Sequence, residues 1–334
     1  MNMSNVEIII PTYNRPHIIK KWFDCDLQHA LELGFAIAVY DSSTNDETEN
    51  LIKDINKNNN IKIKYVRIDN NIRIDEKVLI SILDSEYDYV WPLGDSRTVN
   101  FDQIRQKVIP YIEEEFDLSC IYSFSHRNND RKIYTDSNVF FKECFWHATL
   151  LGGIIFKRDI FSELHDEKIY AFFKNKYCRN DGFSYLGIFY DLIANKSIKA
   201  SFSIVEIQDI CVNKKPAWLR RYLEVWCDNL CYLMDQLDST YDYSKEIVLK
   251  EVWTILGLDK VVWCYKARVA GGLSGKLFDY YDNRGEIERV STNKRRFRIY
   301  SKMPIVLLKT IYDIRNLCGN LYRRIKRVCK GDWK

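Results

Sequence analysis

The sequence predicts an α/β protein: a doubly wound, mostly parallel sheet followed by a helical C-terminal extension. Three observations carry this. β-rich apolar runs alternate with stretches of helical spacing over roughly the first 125 residues, an order that builds parallel sheets with right-handed crossovers. The 334 residues are 46% apolar and 29% charged, enough to bury a sizeable core and unlike a disordered chain. From Trp218 onward the strand pattern stops and long helical stretches take over.

VEIIIPTY (6–13) is the first strand, and Pro16 to Leu33 has helical spacing. AIAVYD (36–41) is the second strand, Asp46 to Asn56 the next helix, and IKIKYVRI (61–68) the third strand. Asp75 to Leu83 reads as helix and YDYVWPL (87–93) as a buried strand. FDQIRQKVIPYIEEE (101–115) is expected to be helical despite Pro110, and LSCIYSFS (118–125) is another strand. The region 126–210 is mixed. Within it LLGGIIFKRDIF (150–161) opens as a glycine-rich strand, and LGIFYDLIANKSIKA (186–200) reads as helix, turn and strand. These readings divide the chain into an α/β body, residues 1–214, and a helical region, residues 215–334.

No apolar run reaches the roughly 18–20 residues that span a bilayer. MNMSNVEIII enters a strand with no basic region and apolar stretch before it, so a cytoplasmic location is expected. Ten cysteines are scattered without a CxxC pair, which predicts reduced, mostly buried thiols. The formal charge of +4 hides an asymmetry: Arg289 to Lys334 holds fourteen Lys/Arg against Asp313 and Asp332, so the preceding residues are net acidic. A basic tail on an acidic body predicts a polyanionic partner or an anionic membrane surface. Nucleic acid is not expected, because no recognised reading module accompanies the basic residues.

A doubly wound sheet invites a nucleotide. The dinucleotide fingerprint GxGxxG belongs after the first strand, yet PTYNRP (11–16) stands there without a glycine, and a GxxxxGK[ST] loop is also missing. Instead PTYNRP follows the first strand, DSSTNDET (41–48) the second, and LGDS (93–96) the fourth. In this order the three motifs resemble family 2 glycosyltransferases of the GT-A fold, over roughly residues 5–205. The resemblance implies an inverting hexosyltransferase-type enzyme with a nucleotide-sugar donor, often a UDP-sugar, and a lipid-linked or protein-linked glycan acceptor.

The resemblance also implies site residues. Asp41 would accept hydrogen bonds from the donor's base or ribose, with Pro11, Thr12 and Tyr13 lining the base pocket and Arg15 close by. Asp46 is expected to cap the following helix or interact with its dipole. Asp69 and Arg73 are pocket neighbours or solvated loop residues. WPLGDSRTV (91–99) falls where the family carries an acidic stretch, and here Gly94, Asp95, Ser96 and Arg97 supply one acid. Mn2+ and Mg2+ take one or two carboxylates plus substrate phosphates and waters, so Asp95 is the expected metal ligand, with Ser96 and the diphosphate completing the shell. Arg97 offers another route, since a guanidinium neutralises a diphosphate directly; pointing away, it is a surface charge at a helix start. The third reading is a non-catalytic nucleotide-sugar-binding partner subunit of the same fold.

Inverting transfer needs a carboxylate to take the acceptor hydroxyl's proton. In the family this acid sits in an ED pair beyond a glycine-rich strand, and that register falls on Asn180-Asp181. Asp181 is the expected base, with capping of a helix beginning at Gly182 as its other reading and Asp191 as the fallback. Gly152 and Gly153 are expected to let the backbone approach the sugar. His147 faces the acceptor or packs in the core. Beyond Pro304, apolar residues from Ile305 to Val328 fall near helical spacing among basic ones. Such a helix lies on an anionic membrane or packs on the body or a neighbouring subunit. The Trp/Tyr-rich helices 218–281 read as a packing or homo-oligomer surface.

Overall fold

A computed structural model describes residues 5–122, 132–178, 182–210 and 217–329. Strand β1, Val6–Thr12, is buried along its whole length. Helix α1, Pro16–Trp22, starts on a proline, whose missing N–H costs nothing in the first turn. It continues through a π-helical segment, Phe23–Leu27, into α2, Gln28–Glu32. The helix expected over 16–33 is therefore present but widened in the middle, and Asp26 is buried in the widened turn. The Asp26 carboxylate accepts from Thr98 Oγ1 (2.9 Å) and from the Val99 N–H (3.2 Å).

Next come β2, Ala36–Asp41, α3, Glu47–Asn59, β3, Lys64–Arg67, α4, Ile74–Asp84, and β4, Tyr89–Pro92. β5, Arg97–Val99, precedes α5, Phe101–Lys107, and α6, Ile109–Glu113. The single helix expected over 101–115 is interrupted at Val108, because Pro110 cannot continue the hydrogen-bond ladder and instead starts a new helix. β6, Leu118–Tyr122, β7, Lys132–Asp136, α7, Ser137–Ala148, and β8, Ile154–Lys157, lead through a 3-10 stretch, Arg158–His165, to α8, Glu167–Tyr177. α9, Ser184–Ile193, β9, Ser197–Ile204, and β10, Ile207–Asp209, complete the α/β part.

The main sheet has the order β3-β2-β1-β4-β8-β6-β9-β7. β1 to β4 are mutually parallel, as expected. β8 runs antiparallel to both β4 and β6, and β7 antiparallel to β9, so the second half is mixed. The chain winds outward from β1 through β2 to β3, then returns to place β4 on the other flank of β1. That reversal is the switch point at which open α/β sheets bind ligands beyond their carboxyl strand ends. Ile8, Ile10, Trp22, Phe35, Trp91 and Phe101 belong to one hydrophobic core cluster of this part of the chain.

Contacts divide the chain into two compact units, residues 1–214 with 233–248, and residues 215–232 with 249–334. The helices beyond β10 are α10, Leu230–Gln236, α11, Asp242–Leu256, α12, Val261–Ala270, α13, Gly275–Asn283, α14, Glu286–Val290, α15, Lys294–Lys302, and α16, Ile305–Cys329. In the second unit Trp218 packs on Tyr222, Trp226 and Trp263, while Trp253 packs on Tyr222 and Phe297. Of these, Tyr222, Trp226, Trp253 and Phe297 are buried in that unit's core, with Trp218 and Trp263 half-buried beside them.

Candidate active site

Two loops meet above the ends of β1 and β2. Asn14, in the PTYNRP turn, has φ of 52°, a left-handed conformation that asparagine tolerates better than most residues. There its N–H donates to Ser43 Oγ (2.7 Å) and its Oδ1 accepts from Thr44 N–H (3.0 Å) and Thr44 Oγ1 (3.3 Å). The first and second motifs are thus physically one structure: the asparagine of one satisfies the serine and threonine of the other.

Asp41 ends β2, opposite Thr12 of β1 in the parallel register. It is fully buried and accepts from Ser43 N–H (2.8 Å), Ser43 Oγ and Tyr65 OH (3.1 Å). The negative charge, together with burial, pushes the Tyr65 hydroxyl well above its usual range, burial being the larger cause. Arg67 lies 3.9 Å from Asp41 and is pinned by the Ser43 and Asn45 carbonyls. Asp46 stands at the N-cap position of α3 but makes no side-chain cap; its carboxylate accepts from Arg67 at 2.6 Å.

Asp95 follows β4 in a tight turn, closed by the Arg97 N–H donating to the Gly94 carbonyl at 3.0 Å. Its carboxylate is buried and accepts from Thr12 Oγ1 (3.2 Å) and from Arg15 Nη1 (3.2 and 3.4 Å). Ser96 anchors the turn through its carbonyl, which accepts from Ile210 N–H at 2.8 Å. Arg97 does not begin a helix. It opens β5, where it lies opposite Asp209 of β10 and pairs with it at 2.9 Å. The guanidinium beside the acid is Arg15, and Tyr13 leaves its ring 48% exposed beside it in sequence.

A lysine completes the cluster. Lys77, near the start of α4, is 2% exposed, and its ammonium donates to the Thr12 carbonyl (2.7 Å) and to Ser42 Oγ. Asp41 and Asp95 both lie within its electrostatic reach, and burial lowers the ammonium to about 8. The sequence reading passed over Lys77 and Tyr65. The one available signal was a lysine heading the apolar run VLISIL.

Asp181 lies outside the described residues. The residues after it are held by Asp75, whose carboxylate accepts from Gly182 N–H (2.7 Å), Ser184 N–H (2.9 Å) and Ser184 Oγ (3.1 Å). Asp191, the fallback base, is structural: it pairs with Lys176 and accepts from Asp238 N–H at 2.9 Å. Arg73 donates to the Cys178 carbonyl, and Asp69 closes a local turn onto Asn71. His147 packs against Trp146 and Phe202. At Gly153 an added Cβ would stand 2.0 Å from the His147 carbonyl, so backbone packing alone demands a glycine there.

Among the described residues no group of three or more His, Cys, Asp or Glu could hold a metal ion. The donor set therefore suits only an ion that brings most of its ligands with it. Asp95 would supply one carboxylate, and a phosphate-bound Mg2+ or Mn2+ needs as few as one or two. A separate cavity of about 390 Å³ lies at the opposite, amino-terminal end of the strands, beside Val6, Tyr89 and Lys157.

An open α/β sheet with buried acids at its switch point places a ligand site beyond the carboxyl ends of its strands. The family model described as Glycosyl transferase family 2 matches residues 7–181, more than half the chain, and the chain belongs to that family. It is a nucleotide-sugar glycosyltransferase. Among solved structures, S. aureus TarS 1–349 is similar at 11% identity and a TM-score of 0.50, over 88% of this chain and 91% of that one. The same protein in complex with UDP-GlcNAc gives 14% and 0.49 over the same shares. The mannosyltransferase PcManGT from Pyrobaculum calidifontis, in complex with GDP-Man and Mn2+, gives 11% and 0.48, over 93% of this chain and 87% of that one. A search of curated proteins gives no match.

Proposed function

We propose that this enzyme moves a sugar, with inversion, from a nucleotide sugar, a UDP-sugar first among them, to a hydroxyl of a glycan acceptor in surface polysaccharide or glycoprotein glycan assembly. The observation that carries the reading is the gathering of Thr12, Asp41 and Asp95 at three neighbouring strand ends of the switch point. Asp41, held by three hydrogen bonds from Ser43 and Tyr65 and with Arg67 3.9 Å away, is the acid that meets the donor's base or ribose. Pro11, Thr12 and the Tyr13 ring form the wall beside it. Gly94, Asp95, Ser96 and Arg15 meet the diphosphate, with Arg97 bracing the turn through Asp209 and Gly153 supporting the floor. Asp95 is the residue that would hold Mn2+ or Mg2+, which would supply charge neutralisation for the leaving nucleotide.

Asp181 takes the acceptor's proton. What supports this is that Asp75 already accepts from the Gly182 and Ser184 N–H groups, where a capping carboxylate would otherwise act. The acceptor is lipid-linked, and α16 lies on an anionic membrane. Leu308 of α16 is buried and Tyr312 stacks on Tyr265, while Val306, Leu307, Ile314 and Leu317 stand exposed. Basic residues surround this face in the sequence, which suits an interfacial helix. Among the described residues no helix is long and apolar enough to cross a membrane.

The test is nucleotide release from UDP-, GDP- and dTDP-sugars in the presence of lipid-linked acceptors, with Mn2+, Mg2+ or EDTA. Asp95→Ala is expected to lower kcat by about 100-fold or more, the scale of losing one charge-stabilising group, and EDTA to do the same. Asp181→Ala should abolish transfer while nucleotide binding persists. Transfer that survives both substitutions would remove these residues from the chemistry.

A further inference from the structure

An ammonium ion is costly to bury, and a site that needed only a tie between two loops could use a neutral amide or hydroxyl. Lys77 is 2% exposed all the same. Its two acceptors come from the two strands that frame the base site: the carbonyl of Thr12, the last residue of β1, and Ser42 Oγ, one residue past the end of β2. Lysine has three N–H donors, and Lys77 makes no other hydrogen bond among the described residues. The charged groups that face it are Asp41 from β2, Asp95 from the turn after β4 and Arg15 from the turn after β1. Its neighbours on α4 are engaged elsewhere, Asp75 with the start of α9 and Glu76 with Lys174 of α8. With Arg97 held by Asp209, the cations set against Asp41 and Asp95 are Lys77, Arg15 and, 3.9 Å from Asp41, Arg67, and of these Lys77 is the buried one.

We propose that Lys77 is a positioning residue of the donor site, whose ammonium locks the ends of β1 and β2 in register and balances the two buried carboxylates, so that the nucleotide binds only when Lys77 is charged. This rests on the donor-site reading above. A tie made by Lys77 alone, without a role for its charge, would leave binding independent of its protonation. The charge role makes binding titrate with it. Because burial brings the ammonium down to about 8, the competent fraction declines on the alkaline side of neutrality, and the apparent dissociation constant rises by the inverse of that fraction.

The experiment is calorimetric titration with UDP and, separately, GDP, from about pH 6.5 to about pH 9.5, on the wild type, Lys77→Arg and Lys77→Met, each checked for folding by thermal melting. For the wild type, Kd should rise about ten-fold between about pH 7 and about pH 9, as expected for a group titrating near 8. Lys77→Arg, whose charge persists across this range, should bind within a few-fold of wild type at neutral pH. It also supplies the profile of the nucleobase's own ionisation, to be subtracted from the others. Lys77→Met should bind at least about ten-fold more weakly at neutral pH and follow the Arg variant's shape. If the Met variant fails to fold, the difference between wild type and Lys77→Arg decides. Identical profiles for those two, or full affinity in Lys77→Met, would overturn the role of Lys77 alone. No nucleotide bound by the wild type at any pH would overturn the donor-site reading and this role with it.

Discussion

Asp26 is 3% exposed, and burial pushes its carboxyl up to about 6 against hydrogen bonds from Thr98 and Val99 that pull it down. In the unfolded chain it titrates near 3.8, so between these values the folded protein keeps a proton that the unfolded chain has lost. Stability from this group is therefore present below about 4 and lost as the pH rises through about 6. The loss is on the order of 2–3 kcal/mol. Urea unfolding of Asp26→Asn should show a flatter stability profile across that window than the wild type, and equal slopes would contradict the assignment. Gly153 carries a second residue-level expectation. With the His147 carbonyl 2.0 Å from the position of an added Cβ, Gly153→Ala should cost about 3 kcal/mol or more, as severe overpacking does, whatever its effect on sugar transfer. The placement of Asp41 and Asp95 at neighbouring strand ends was legible because short motifs mark those ends. Lys77 and Tyr65 were not, since each gains its role from a contact with a distant stretch of chain.

At the scale of elements, periodicity located the parallel strands and most helices, because their apolar spacing is local. It missed what backbone hydrogen bonding decides. The π-helical turn at Phe23–Leu27 and the break at Val108 lie inside stretches with unbroken helical spacing, and the antiparallel placement of β8 depends on partners far apart in sequence. α16 was read as amphipathic, and its described part separates a packed side, Leu308 and Tyr312, from an exposed one, Ile314 and Leu317. If that exposed side meets lipid, Ile314→Glu with Leu317→Glu should reduce co-sedimentation with phosphatidylserine vesicles by about ten-fold or more, since two buried apolar side chains are worth about 1.5–3 kcal/mol each. The melting temperature should not move, as both positions are solvent-exposed. Unchanged vesicle binding, with a shift from dimer to monomer in solution, would instead make this face a contact between copies of the chain.

The molecule as a whole divides less simply than its linear pattern suggests. A boundary after Lys214 follows from the change of strand pattern to helix, yet residues 233–248 belong with the α/β body. The reason is chemical. Leu233, Met234, Leu237 and Tyr241 are all 4% exposed or less, the Tyr241 hydroxyl donates to the Tyr190 carbonyl at 2.8 Å, and Tyr177 donates to the Gln236 carbonyl at 3.3 Å. A helical stretch reads the same in sequence whichever core it joins, so spacing alone could not assign it. Removing a large buried apolar side chain costs about 2–5 kcal/mol, and four together reach the roughly 5–15 kcal/mol that holds a whole domain folded. A chain ended after Lys214 is therefore expected to lose its cooperative thermal transition and to bind a hydrophobic dye, although it keeps Asp41, Lys77 and Asp95. In the full chain, Tyr241→Ala should lower the unfolding midpoint of the α/β body by several degrees, read from the fluorescence of Trp22 and Trp91 in a background where the other tryptophans are replaced by phenylalanine. Cooperative unfolding of residues 1–214 with full nucleotide affinity would show that the body closes its core without the returning segment.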